Sequence, residues 1–242
     1  MRLLNRLRKE FRKEMSIPSW ISVMINSNYF ISRGIANGIR KNAHYMTGKM
    51  MDFGCGIKPY RSLFSVVDHV GVDIENTGHS NSRVFVDKFY DGKTIPFESE
   101  YFDSIFSAEV LTHIFNVEEI VPELNRVLKK GGFFLLTVPF VWKENEKPND
   151  SVRYTSFGIA YLLEKHGFQI VSQQKSGHYL TVVFQLLNDY IYSSLFPNVK
   201  IVKALFTFLL IFPLNCLGLF LSSICPTNAD LFMNSVIVAR KK

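Results

Sequence analysis

Residues 49–56 read Lys-Met-Met-Asp-Phe-Gly-Cys-Gly, a short apolar run that breaks at two glycines one residue apart. The next apolar run, His69–Asp73 (HVGVD), ends in an acid, and so does Arg83–Asp87 (RVFVD). Phe102–Ala108 (FDSIFSA) and Gly132–Val138 (GFFLLTV) follow, then Gly167–Lys175 (GFQIVSQQK) and Ser235–Arg240 (SVIVAR). Val117–Leu128 sets Ile120, Val121, Leu124, Val127 and Leu128 on one helical face, and Thr155–His166 is a second helix with Gly167 as its C-cap. Apolar strands alternating with helices are covered on both faces. This predicts an α/β, Rossmann-like doubly wound sheet of seven strands, mostly parallel.

In such a sheet, ligands bind outside the carboxyl ends of the strands. Gly54 and Gly56 would let a ligand approach the backbone closely. Asp73 follows about twenty residues on, where a carboxylate can accept both hydroxyls of a ribose. Asp87 is placed to accept from an exocyclic amine. The fourth strand ends in Ser107-Ala108-Glu109.

The order of these pieces resembles the class I S-adenosylmethionine-dependent methyltransferases, most closely the type 11 methyltransferase domain. The matching pieces are MDFGCG, GVDI, VDKFYDGKTIPFESEYFDSIFSAEVLTHI and RVLKKGGFFLLTVP. The likeness runs from Lys49 to Lys175 and includes the last strand, which in this family enters the sheet antiparallel beside the sixth. It implies S-adenosyl-L-methionine as cofactor. Gly54, Cys55 and Gly56 would pass under its methionine part, with Asp52 near the amino group. Asp73 and Ile74 would serve the ribose, and Asp87, Lys88 and Phe89 the adenine. Glu109 and Val110 would line the cofactor through their backbone. The first loop lacks the third glycine of many relatives, and Thr112 stands where an acid usually precedes His113. An NAD-type Rossmann site would require a fuller glycine motif.

The acceptor side falls on residues 139–154. Trp142 and Tyr154 offer flat faces for a sugar or an aromatic ring. Arg153 offers a fork for phosphate or carboxylate. ENEKPNDSVRYTSFGIAYLLEKHGF resembles type 11 methyltransferases of bacterial surface-polysaccharide gene sets, with Asn145 in place of their usual His. A base for an oxygen acceptor is then His113, Glu144, Glu146 or water. The acceptor is expected to be a hydroxyl on a sugar or lipid-linked glycan. A small lipophilic acceptor such as a quinone precursor is the alternative, and a non-catalytic cofactor-binding scaffold is another.

The chain has 242 residues, 47% of them apolar, which excludes a disordered chain. Its three cysteines, Cys55, Cys216 and Cys225, make no disulfide framework and have no metal-ligand spacing. Residues 1–50 hold ten Lys/Arg against two Asp/Glu, and the rest hold 18 against 19. The bulk therefore offers no basic surface for nucleic acid. The N-terminal MRLLNRLRKEFRKEM is a basic amphipathic helix, lying on an anionic membrane surface or packing on its own domain.

Residues 16–47 lead in through one or two helices. Ala204–Ala229 contains no charged residue over 26 positions, enough to cross a bilayer or to form a hairpin buried in the domain or in a dimer. Because the sixth and seventh strands flank it and must pair, it must enter and leave on one side. Pro213-Leu214-Asn215 predicts two short halves, Ile201–Phe212 and Leu217–Cys225. Each would be too short to span, giving a shallow hairpin or two interfacial helices. The expected organisation is 1–47 as N-terminal helices, 48–178 with 232–242 as the methyltransferase domain, and 179–231 as the apolar insertion. The expected location is cytoplasmic, at the inner face of the membrane.

Overall fold

The computed structural model describes residues 10–75, 85–195 and 199–242. The strands are β1 (Lys49–Phe53), β2 (Asp68–Ile74), β3 (Lys88–Tyr90), β4 (Phe102–Ala108), β5 (Leu128–Pro139), β6 (Phe168–Ser176) and β7 (Asn234–Lys241). The longer helices are α1 (Tyr29–Asn42), α2 (Val117–Val127), α3 (Ser156–Lys165), α4 (Tyr179–Tyr190) and α5 (Ile201–Ile224). One sheet runs β3-β2-β1-β4-β5-β7-β6. The pairs β1–β2, β1–β4, β2–β3 and β4–β5 are parallel. Strand β7 lies against β6 with Met233 N donating to Ser176 O at one end and Lys242 N donating to Gly167 O at the other. That crossed order makes the pair antiparallel, as the family resemblance implies.

The period-2 pattern of the strands sorts side chains to two faces. Met51, Phe53, Ile105, Phe134, Leu136 and Ile237 join Ile120, Val121, Leu124 and Val127 of α2 in the main core. The alternate residues point the other way, where Tyr60 and Phe64 pack on Phe106. Helix α3 begins at Thr155, whose Oγ1 accepts from Gly158 N at 3.0 Å, and ends before Gly167 at φ +84°.

The chain divides into two compact units: Gly38–Gln174 with Ser235–Lys242, and residues 10–37 with Lys175–Asn234. In the second unit, buried side chains tie helices to the lead-in segment. Asn188 Nδ2 donates to Asn215 Oδ1 at 2.8 Å, and Asn215 Nδ2 donates to the carbonyls of Val23 and Asn26. Gln185 donates to Ser27 O and accepts from Ile31 N. Gly218 is obligatory, because a Cβ there would stand 2.6 Å from Phe30 and 2.8 Å from Phe184. The insertion enters and leaves together, with Tyr179 N donating to Asn228 O at 3.1 Å.

Two expectations are corrected. The third strand is Lys88–Tyr90, not Arg83–Asp87, because pairing with β2 starts at Val72 and Lys88. Residues 83–84 lie outside the described residues, as do 1–9 of the basic N-terminal segment. Pro213 does not split the insertion. Thr207–Ile211 is a π-helical turn, after which Pro213 sits in the first turn of Phe212–Ile224. Proline needs relief from the carbonyl four residues back and has no N–H to donate. A π turn just before it supplies that relief, so the helix continues.

Candidate functional site

The strand order reverses at β1, with β2 on one side and β4 on the other. The loops after β1 and β4 therefore diverge, which opens a crevice at their carboxyl ends. A cleft of about 510 Å³ lies there. Of the residues singled out in the sequence, Gly54, Gly56, Asp73, Ile74, Glu109, Val110, His113 and Glu146 line it.

Its floor is backbone. Gly54 has φ +69°, and a Cβ there would stand 2.3 Å from Val110 Cγ2. Gly56 has φ +48°, and a Cβ there would meet nothing within 4 Å, so its backbone faces open space. Asp73, at the end of β2, is buried and fixed by two amides: Gly56 N donates to Oδ2 at 2.9 Å and Ile74 N donates to Oδ1 at 2.8 Å. A carboxylate so pinned beside a glycine cradle suits a pair of vicinal hydroxyls. Glu109 sits at φ +63°, with its amide on Thr137 O and its Oε1 accepting from Thr137 Oγ1 at 2.6 Å. Glu146, also in the lining, has positive φ, as do Lys58 and Glu100 outside it. A non-glycine residue held there costs about 1–3 kcal/mol, and such strain collects at functional sites.

The opposite wall is the turn Leu111–His113 and the loop after β5. His113 Nδ1 lies 2.7 Å from Asn149 O. A carbonyl only accepts, so Nδ1 donates, and in the neutral tautomer this fixes, Nε2 is the ring's acceptor. Ser151 N and Oγ both donate to Thr112 O, stitching loop to turn. Arg153 holds the loop from within. Its NH1 and NH2 donate to Asp150 at 2.5 and 2.6 Å, and NH2 also reaches Lys143 O. The guanidinium holds the Asp150 carboxyl down at about 2. An unfolded Asp titrates near ~3.9, so this pair stabilises the loop fully above about pH 4, and its contribution is lost as pH falls through about 2. Hydrogen exchange at the Asn145 and Ser151 amides, corrected for intrinsic rates, should lose protection across that window. Asp150→Asn should show low protection already at neutral pH; unchanged protection in either case refutes the latch.

The remaining candidates lie outside the cleft lining. Asp52 is buried against His69 Nε2 at 2.9 Å; burial raises its carboxyl and the imidazole opposes this. Burial pushes the Cys55 thiol up to about 12. Asp87 precedes β3 and accepts from Lys58 Nζ at 2.5 Å and Gly71 N at 2.7 Å. Burial opposes its charge, yet these bonds hold it below the usual range. Lys88 and Phe89 are exposed. Trp142 is half-buried under Lys143, Glu144 pairs with Lys147, and Tyr154 packs on the core. The cleft instead recruits Tyr90, Phe115, Asn116, Asn145 and Asn149. Of these only Asn145 carried a signal, as the replacement of an expected His.

A family model described as a methyltransferase domain matches residues 51–136, the stretch from β1 into β5. The sterol 24-C-methyltransferase of Candida albicans is 24% identical over 161 residues, covering 58% of this chain and 43% of that enzyme. The chain thus spans less than half the length of that relative. An S-adenosylmethionine-dependent methyltransferase from Mesorhizobium loti superposes with a TM-score of 0.55 at 14% identity, over 88% of this chain and all of the other. Phosphoethanolamine N-methyltransferase 2 of Haemonchus contortus, solved with S-adenosyl-L-methionine, gives 0.54 at 17% identity over 96% and 60%.

Proposed function

The chain carries a methyltransferase domain with the class I S-adenosylmethionine-dependent fold, and from that premise we propose that it methylates a hydroxyl of a sugar or lipid-linked glycan at a membrane surface. The observation that carries this is the joint placing of the pinned Asp73, the open Gly56 backbone and the Nδ1-protonated His113 in one cleft. S-adenosylmethionine, when bound, supplies an electrophilic methyl group on a sulfonium. Asp73 accepts the ribose hydroxyls, and Gly54 and Gly56 let the backbone approach the cofactor. His113 Nε2 takes the acceptor's hydroxyl proton, and Asn145, Asn149 and Glu146 give a polar wall that orients it. Asp87, already committed to Lys58 and Gly71, serves the loop after β1.

Gly56→Ala separates cradle from scaffold. The new Cβ meets no protein atom, so stability should fall by only ~1–2 kcal/mol for the left-handed backbone. It points into the space the cofactor would take, so calorimetry should show S-adenosylmethionine affinity at least ~10-fold weaker, a 1.4 kcal/mol change. Affinity equal to wild type would remove the cradle.

The lipophilic acceptor is the second reading, favoured by Ile114 and the exposed Phe115 in the lining and by sterol methyltransferases among the relatives. Mass spectrometry of envelope glycans and of extracted lipids, with and without the protein, decides. A one-methylene mass gain in the glycan fraction supports the first reading, and a gain among lipids alone supports the second.

A further inference from the structure

Helices α4 and α5 turn polar side chains inward and a large apolar face outward. The stripe of α5 turned inward is Thr207, Ile211, Asn215 and Gly218, spaced by four, four and three residues, which is one helical face. Its outward face carries Leu205, Phe208, Leu209, Leu217, Phe220 and Ile224, all exposed. Helix α4 repeats the pattern in part, with Gln185 and Asn188 fully buried beside Val182 and Phe184, and Val183, Leu186 and Leu187 exposed. A helix facing water puts its polar residues outside and its apolar stripe inside. Here Asn188 Nδ2, Asn215 and Gln185 bond to one another or to the lead-in backbone, which pairs most of the inward polar groups without water. The medium that suits its outer face is apolar.

Charge selects the occupant. Residues 10–37 and 175–234 together hold six Lys/Arg and four Asp/Glu, and the preceding residues 1–9, outside the described residues, add four Lys/Arg in sequence, a net of +6 against +1 for the rest of the chain. A second copy would bring the same excess and be repelled, whereas anionic headgroups are attracted. Exposed Trp20 and Tyr190, and Tyr192 with Lys203 Nζ 4.8 Å from its ring centroid, suit the level between headgroups and acyl chains.

Depth follows from the bonds already described. The 24 residues of α5 rise ~36 Å and could cross a bilayer by length. Yet Tyr179 is bonded to Asn228 and Ser176 to Met233, so entry and exit share one side. Midway along, Asn215 is bonded to Val23 and Asn26, which covers the inward side of α5. Resting on the reading that the acceptor is met at a membrane surface, we propose that residues 10–37 and 175–234 form a monotopic anchor. It lies in the plane of an anionic monolayer, with the outer faces of α4 and α5 in the acyl boundary and no segment crossing.

The test uses the full chain with vesicles of phosphatidylcholine alone or mixed with phosphatidylglycerol. Flotation should be strong with the anionic mixture and weaken at high salt. Leu209→Glu with Phe220→Glu should lower the bound fraction at least ~10-fold, because charge on the lipid face is costly. Thermal melting and S-adenosylmethionine affinity of this variant should match wild type. Equal flotation of variant and wild type would overturn the anchor. So would a wild-type dimer that the variant makes monomeric without any vesicle binding, or a protease-protected α5 fragment showing a crossing. Flotation without cofactor binding would instead sink the methyltransferase reading and leave the anchor standing.

Discussion

Replacing His113 by alanine is expected to cut methyl transfer about 10²–10⁴-fold, the usual worth of a positioned general base, with cofactor affinity unchanged. The ring lines the cleft, and its Nδ1 proton is fixed by the carbonyl of Asn149, so Nε2 is the basic atom. Alanine also deletes a hydrogen bond between turn and loop, and a structural loss could imitate a chemical one. His113→Gln resolves this, because its amide N–H can still donate to Asn149 O while the side chain has no basic nitrogen. Single-turnover assays with saturating cofactor should find glutamine as slow as alanine, with the Ser151 amide still protected from exchange. A glutamine variant near wild-type rate would show that His113 only positions the loop.

Asp73→Ala should weaken S-adenosylmethionine binding by at least ~10²-fold. Two charge-assisted hydrogen bonds to a ribose are worth ~1.5–3 kcal/mol each, and every 1.4 kcal/mol is tenfold. Part of the loss would come through Gly56, whose amide is bonded to the same carboxylate. Asp73→Asn keeps an acceptor for that amide but removes the charge, so calorimetry should place it between wild type and alanine. Affinity unchanged in both variants would remove Asp73 from the site, and an asparagine variant as weak as alanine would assign the whole effect to charge.

The sheet was legible because its strands are continuous apolar runs and its turns carry glycine. Lys49–Phe53 and Phe102–Ala108 have the boundaries read from the sequence alone. The third strand was misplaced because Arg83–Asp87 has the better apolar pattern, whereas pairing with β2 selects Lys88–Tyr90. Asp87 then falls at the amino end of its strand, and Tyr90 takes the cleft end. Proline suggested a break at Pro213 because local rules do not foresee a π turn upstream. Gly54, Gly56 and Asp73 of the cleft were readable since glycines and strand-end acids have fixed spacing. The opposite wall was not, because Asn116, Asn145 and Asn149 come together only through loop geometry. Arg153 read as a ligand fork; in the structure its NH1 and NH2 are taken by Asp150 and by the carbonyls of Val152 and Lys143, while its Nε has no partner.

The place of β7 between β5 and β6 sets a schedule for biosynthesis. When Ser176 leaves the ribosome, β6 has no neighbour, since the strand that joins it to the sheet begins only at Asn234. At ~5–20 residues per second that wait is about 3–12 s. During it, β5 presents an unpaired edge and the whole hairpin of α4 and α5 emerges. The nascent chain therefore exposes its most apolar segment before its sheet can close. Closure of the sheet waits on the eight residues Asn234–Lys241.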